Sequence, residues 1–318
     1  MSLTTSRTSP DSQAGPSAAN PPSRSPRPPA KITVPSLLEK KLQHQPITCV
    51  TAYDYASARL VDEAGLDLVL VGDSLAMVMQ GHEDTLAITM DEMLVYTRGV
   101  RRGLRHALLV VDMPFGSYHL DDRDGVANAI RFVKEAGAEA VKVEGGIERT
   151  TLVTRLTQAQ IPVMGHIGLT PQSVHRMGGY KVQGRTMDSA NALRADALAL
   201  EAAGCFAIVL EGVPRELALL ITNDLDIPTI GIGAGPDTDG QILVLHDMLT
   251  LTFAPPARFV RRYANVGDVI RQALAHYRDD VHTRTFPSDQ ESYHLPRTPD
   301  SPSQTEPAQL LTPVAAIR

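Results

Sequence analysis

The sequence predicts an α/β chain closed into a (β/α)8 barrel. Three observations carry that expectation. A unit of helical segment, glycine and apolar run recurs along the chain. The apolar runs are short, unbroken and rich in Val, Ile and Leu, as suits parallel strands buried on both faces. They also end in polar or charged residues, and the carboxyl ends of strands are where α/β sheets bind ligands.

In chain order, residues 47–52 are the first expected strand, followed by Tyr53-Asp54. Asp54 reads as the N-cap of a helix over 55–64. Glu63-Ala64-Gly65 closes that helix, since glycine adopts the left-handed conformation that ends one. The second strand, 66–72 (LDLVLVG), opens onto Asp73-Ser74. A helix over 91–104 leads to the third strand, 107–112, ending in Asp112. Proline two residues later keeps this stretch extended, so a capping role for Asp112 is disfavoured. A helix over 122–136, closed by Gly137, precedes strand 138–144, which carries Lys142 and Glu144. A helix over 148–159 precedes strand 161–166, which opens on Ile-Pro and ends in His166. A helix over 190–203 and Gly204 lead to strand 206–211 and Glu211. A helix over 214–222 leads to strand 227–231, which runs into Gly231-Ile232-Gly233-Ala234-Gly235. A weaker run at 249–253 is taken as the eighth strand. A doubly wound open sheet would alternate similarly; strict alternation over about 250 residues favours closure.

Composition fits one large barrel. The chain has 318 residues, 43% hydrophobic and 21% charged, with net charge -6. That balance, without a dense Lys/Arg stripe, gives no reason to expect nucleic-acid binding. No apolar run approaches the length of a membrane span. Cys49 and Cys205 are the only cysteines, which fits a reducing, cytoplasmic setting and buried inert thiols. Residues 1–30 are dense in Ser and Pro and lack the apolar stretch of a secretory signal, so they are expected to be a disordered extension. Residues 31–286 form the expected barrel and 287–318 a second disordered tail.

The strand ends concentrate chemistry. Acids, a lysine and a histidine at five successive ends are hard to explain as packing, and a closed barrel would bring them to one mouth. Asp73 directly follows a buried run. Lys142 lies inside an apolar strand, where it needs a partner, and the two-residue period puts Glu144 on its face, so an ion pair between them is the structural alternative. His166 reads as a site residue or a satisfied core histidine. Glu211 ends an apolar run; left unpaired, its pKa would rise and suit it to general-base work. The cluster is rich in carboxylates and lacks cysteine, which favours magnesium held by Asp73 and Asp112. The glycine-rich segment at 231–235 does not match the dinucleotide fingerprint and reads as a phosphate loop or a tight turn lining the pocket. His82-Glu83-Asp84 lies in a polar loop and is not taken as a ligand set.

These segments resemble the ketopantoate hydroxymethyltransferase (3-methyl-2-oxobutanoate hydroxymethyltransferase) family. The resemblance rests on Thr51-Ala52-Tyr53-Asp54-Tyr55, Val71-Gly72-Asp73-Ser74-Leu75 and Val141-Lys142-Val143-Glu144-Gly145-Gly146. It continues through Gly165-His166-Ile167-Gly168-Leu169-Thr170-Pro171-Gln172-Ser173, Gly178-Gly179-Tyr180-Lys181-Val182-Gln183-Gly184-Arg185 and Thr238-Asp239-Gly240-Gln241. It implies a barrel of the phosphoenolpyruvate/pyruvate-like superfamily with one magnesium ion per subunit. It further implies transfer of a hydroxymethyl group from 5,10-methylenetetrahydrofolate to 3-methyl-2-oxobutanoate, giving ketopantoate for pantothenate and coenzyme A synthesis. By the same resemblance Asp73, Asp112 and Glu144 serve the metal, Asp73, Ser74, Asp112, Lys142 and His166 the keto acid, and Glu211 is the base. The implied assembly is a homodecamer. The segment at 254–259 departs from the family pattern. The competing readings are a barrel of the phosphoenolpyruvate mutase and isocitrate lyase type, and a non-catalytic binding protein that kept the barrel.

Overall fold

The computed structural model describes residues 30–294, which divide into two compact units: residues 30–245 with Ala257–Val260, and His246–Pro256 with residues 261–294. Residues 1–29 of the expected leader (1–30) and residues 295–318 of the expected tail (287–318) lie outside the described residues.

The first unit contains the barrel. Its strands are β1 (Ile47–Thr51), β2 (Leu68–Val71), β3 (Leu108–Asp112), β4 (Ala140–Glu144), β5 (Val163–Gly168), β6 (Ala207–Glu211), β7 (Thr229–Ile232) and β8 (Gly240–Leu243). All pair in parallel in sequence order, and β1 pairs with β8 to close the ring, as expected rather than the open sheet. Between them run helices Tyr55–Glu63, Met90–Gly103, Asp122–Arg131, Thr150–Gln158, Met187–Ala203 and Arg215–Asp224. Asp54 caps the first of these, accepting from Ser57 N at 2.8 Å. Gly65, Gly137 and Gly204 take positive φ (+77°, +72° and +106°) at the helix ends where the sequence placed them. Pro162 and Pro228 sit just ahead of β5 and β7, where a missing N–H costs nothing and each carbonyl still accepts a neighbouring N–H.

The eighth strand is a correction. Residues 249–253 are irregular and belong to the second unit; the barrel closes instead through Gly240–Leu243. This strand has no apolar run to announce it, because Gln241 is exposed between Gly240 and Ile242. Gly240 is required there: a Cβ would lie 2.6 Å from the carbonyl oxygen of Ile47 on β1. The second unit holds an unexpected helix, Val266–Thr283, capped by Asn265, and a short turn, Asp289–Glu291.

Alternation along the strands turns one residue set inward. Leu68 and Leu70, Leu108 and Val110, Ala140, Met164, Ala207 and Val209, Ile230 and Ile242 form one buried cluster. The same parity carries Asp112, Lys142 and Glu144, His166, and Glu211 into the barrel one or two steps further along. The packed core is thus the floor of the polar mouth. Cys49 lies in this cluster, and Cys205 is also buried; both are free, and burial pushes the Cys205 thiol up to about 12 and the Cys49 thiol higher still.

At the opposite end, helix Val34–Leu42 contributes Leu37 to the same cluster. Two lysines pin it. Lys40 Nζ lies 2.6 Å from Asp67 Oδ1, and Lys41 Nζ lies 3.0 Å from Asp239 Oδ2. Each aspartate also accepts the backbone N–H of a threonine at 2.8 Å, Thr48 in β1 for Asp67 and Thr229 in β7 for Asp239. Replacing Asp67 by Ala leaves the Thr48 N–H without its acceptor and Lys40 without its counter-ion. We expect a loss of about 2–4 kcal/mol in denaturant unfolding; an unaltered midpoint would show the pin contributes nothing. Among the described residues no helix is long and apolar enough to cross a membrane.

Candidate active site

The polar ends of β2 to β6 meet in a buried cluster. Gly72 makes room at the end of β2, where a Cβ would stand 2.8 Å from Ser74 Oγ and 3.4 Å from Asp112 Oδ2. The next residue, Asp73, donates its backbone N–H to Asp112 Oδ2 at 3.0 Å. Ser74 Oγ is 2.8 Å from the Tyr53 hydroxyl, so the end of β1 holds the end of β2.

Lys142 is paired, but with a neighbour on another strand. Its Nζ lies 2.8 Å from Asp112 Oδ1 and 4.0 Å from Glu144 Oε1. The expected pair within β4 is therefore the longer contact, because side chains two apart on a strand point in parallel while β3 presents Asp112 directly across the ladder. Burial opposes the ammonium, yet the carboxylates of Asp112, Glu144 and Asp73 outweigh it and hold the Lys142 pKa above its ordinary value.

His166 bridges two acids. Nδ1 is 3.3 Å from Glu144 Oε1, and Nε2 is 3.2 Å from Glu211 Oε2, an ion-pair distance with poor hydrogen-bond alignment. Burial and the Lys142 charge push its pKa down, but the two carboxylates prevail and raise it to about 9. Nδ1 also lies 3.1 Å from Lys142 Nζ. With the ring protonated that contact joins two cations, tolerable because Asp112 and Glu144 sit against them. Glu211 is thus paired, not isolated as its apolar strand suggested, and its side chain is 16% exposed where the others are nearly closed off.

Four carboxylates, Asp73, Asp112, Glu144 and Glu211, stand around Lys142 and His166. The excess of negative charge falls hardest on Asp73, whose pKa is raised well above the carboxylate range by burial, Asp112 and Glu144. Burial also raises Asp112, against the pull of Lys142. Glu144 goes the other way, since His166 and Lys142 overcome its burial. Among the described residues no group of three or more His, Cys, Asp or Glu side chains forms a metal cage. A pair of all-oxygen donors with surplus negative charge does suit magnesium, which takes one or two carboxylates and keeps water for the rest.

Beside Glu144 a cavity of about 570 Å3 opens, lined among others by His119, Arg149, Thr170, Arg176 and Asp196. Its size is in the range of small-molecule sites.

Residues 31–289 match the family model described as ketopantoate hydroxymethyltransferase. The chain belongs to this family. It is 63% identical over 268 residues to the 3-methyl-2-oxobutanoate hydroxymethyltransferase of Koribacter versatilis (strain Ellin345), covering 84% of this chain and 91% of that one. Against the enzyme of the same name from Pelobacter propionicus it is 52% identical, covering 83% and 98%. Solved structures of similar shape include a phosphonopyruvate hydrolase in complex with oxalate and Mg++ (TM-score 0.53, 16% identity, 82% of this chain and 93% of that one). Another is 2,3-dimethylmalate lyase, a PEP mutase/isocitrate lyase superfamily member (TM-score 0.52, 16% identity, 82% and 91%). At such identities they establish the barrel fold alone.

All the site residues read from the sequence, Asp73, Ser74, Asp112, Lys142, Glu144, His166 and Glu211, lie in this one mouth of the ketopantoate hydroxymethyltransferase barrel. Two other motifs make none of the hydrogen bonds or ion pairs given above for the cluster. His82 and Glu83 are exposed, and half-buried Asp84 accepts the Leu86 N–H on Oδ1. At 231–235 the backbone is a packed turn: a Cβ on Gly233 would strike the Phe259 ring at 2.6 Å, and one on Gly235 the Arg215 side chain at 2.6 Å.

Sequence reasoning missed Tyr118, Arg149 and Gln172. The Tyr118 hydroxyl accepts the Glu144 N–H at 3.1 Å, and Arg149 Nε donates to the Glu144 carbonyl at 3.2 Å, with the guanidinium carbon of Arg149 5.2 Å from the Tyr118 ring centroid. Gln172 stands inside a motif that carried the resemblance, six residues past His166.

Proposed function

We propose that this chain catalyses the reaction its relatives are named for, transferring a hydroxymethyl group to 3-methyl-2-oxobutanoate to give ketopantoate (2-dehydropantoate), a step toward pantothenate. The methylene carbon comes from 5,10-methylenetetrahydrofolate; with one water consumed, the products are ketopantoate and tetrahydrofolate. The observation that carries the reading is the convergence of Asp73, Asp112, Lys142, His166 and Glu211 at the carboxyl end of one barrel.

Asp73 and Asp112, with Glu144 behind them, would hold a magnesium ion, which when bound supplies stabilisation of negative charge on the keto oxygen. Glu211 removes the proton at C3 of the keto acid. It suits the role because it is the most exposed carboxylate of the cluster, and His166 holds its Oε2 at 3.2 Å. The electron pair left at C3 then bonds to the donor's methylene carbon as that carbon's bond to N10 breaks, and N10 takes up the proton removed from C3. Water then displaces N5 from the same carbon, leaving the hydroxyl on ketopantoate and a proton on N5 of tetrahydrofolate. Lys142, fixed by Asp112, presents permanent positive charge toward the anion that develops. Ser74, held by Tyr53, offers a hydroxyl to the keto acid. The cavity beside Glu144 has room for the one-carbon donor. Cytoplasmic location and homo-oligomeric assembly belong to the same reading, the former supported by two free, buried thiols.

The test is direct. Purified protein with magnesium, 3-methyl-2-oxobutanoate and 5,10-methylenetetrahydrofolate is expected to form ketopantoate, detected by mass spectrometry. No product, with cleavage of a dimethylmalate-type substrate instead, would move the chain to the lyase reading.

A further inference from the structure

Gln172 touches four groups from three strand ends and one loop. Its side-chain Nε2 donates to Asp73 Oδ2 at 2.8 Å and to the Met113 carbonyl at 3.0 Å. Its Oε1 accepts from the Tyr118 hydroxyl at 2.6 Å, and its backbone N–H donates to Glu144 Oε2 at 3.0 Å. The residue is buried.

The orientation of the amide is fixed by groups with no choice of role. The Met113 carbonyl can only accept, so it selects the NH2 end. The Glu144 N–H can only donate, so the Tyr118 hydroxyl accepts from it and directs its own proton to Gln172 Oε1. The NH2 group is thereby committed to Asp73 Oδ2. Asp73 needs such a hold, because Asp112 and Glu144 repel its charge. Oδ2 is engaged by Gln172, and among the described residues no group donates a hydrogen bond to Oδ1.

We propose that Gln172 is a positioning residue for the cation site. It locks the rotation of the Asp73 carboxylate so that Oδ1 faces the cation, and its backbone N–H sets Glu144 at the same time. This rests on the magnesium reading above. Partners that orient a ligand are typically worth 10–100-fold in metal affinity.

The experiment is a calorimetric titration with magnesium chloride alone, without keto acid or folate. Gln172→Met keeps the length and the backbone N–H but removes the amide. Gln172→Leu removes the amide as well, adds no charge, and keeps the backbone N–H. Both are expected to bind magnesium 10–100-fold more weakly than wild type, and Tyr118→Phe, which frees the amide to turn, is expected to weaken binding less, but in the same direction. Should Gln172→Met fail to fold, Gln172→Leu and Tyr118→Phe carry the test. Folded variants binding within about threefold of wild type, even with lowered melting temperatures, would overturn the proposal and leave the magnesium reading intact. Wild type that binds no magnesium would remove both.

Discussion

The Glu211→Gln protein is expected to bind 3-methyl-2-oxobutanoate but fail to exchange its C3 proton with solvent. In deuterium oxide with magnesium and no folate, the wild-type barrel should incorporate deuterium at C3; the variant should do so about 10²–10⁴-fold more slowly, the usual contribution of a positioned base. The substitution is nearly isosteric, so the loss reports chemistry rather than packing. It also changes the partner of His166 Nε2 from a charged oxygen to a neutral amide while leaving Glu144 on Nδ1. Exchange at the wild-type rate would assign the base elsewhere in the cluster. Separating exchange from transfer matters, because the exchange needs no folate and isolates the first bond broken.

The second large effect is on the metal. Asp73→Asn should weaken magnesium binding by more than the 10–100-fold usual for groups that only orient a ligand, read by titration without substrate. Asp73 is the better target than Asp112, since Asp112 also neutralises buried Lys142 at 2.8 Å and its loss would confound affinity with stability. An asparagine at 73 can turn its carbonyl toward Gln172, which leaves its NH2 facing the cation. Undiminished affinity in this variant would reject Asp73 as a ligand.

What the sequence reveals of this molecule follows from how local each cause is. β2 to β6 are legible because an apolar run ending in a charge is a property of neighbours in sequence, and the alternation through Ala140, Lys142 and Glu144 sets the facing of the site. β8 is illegible for the opposite reason: Thr238-Asp239-Gly240 has the composition of a turn, and its strand character comes from pairing with Ile47. Asp239 meanwhile is engaged by Lys41 and Thr229, residues remote or on another strand. Gln172 and Tyr118 act only through partners brought close by the fold. Helix Val34–Leu42 did carry a local signal, Thr33 with Ser36 as a capping pair and proline in the first turn.

The seam between β1 and β8 bears on how the chain is made. Ile47 must wait for Gly240, about 190 residues later in the sequence, before the second edge of β1 is covered. At ordinary synthesis rates of 5–20 residues per second, that edge stays open for roughly 10–40 s on the ribosome. Throughout that interval β1 offers unpaired backbone groups to any passing strand. The ring that shelters the chemistry is therefore also a timing constraint, and the second edge of the first strand is covered only when the last strand emerges.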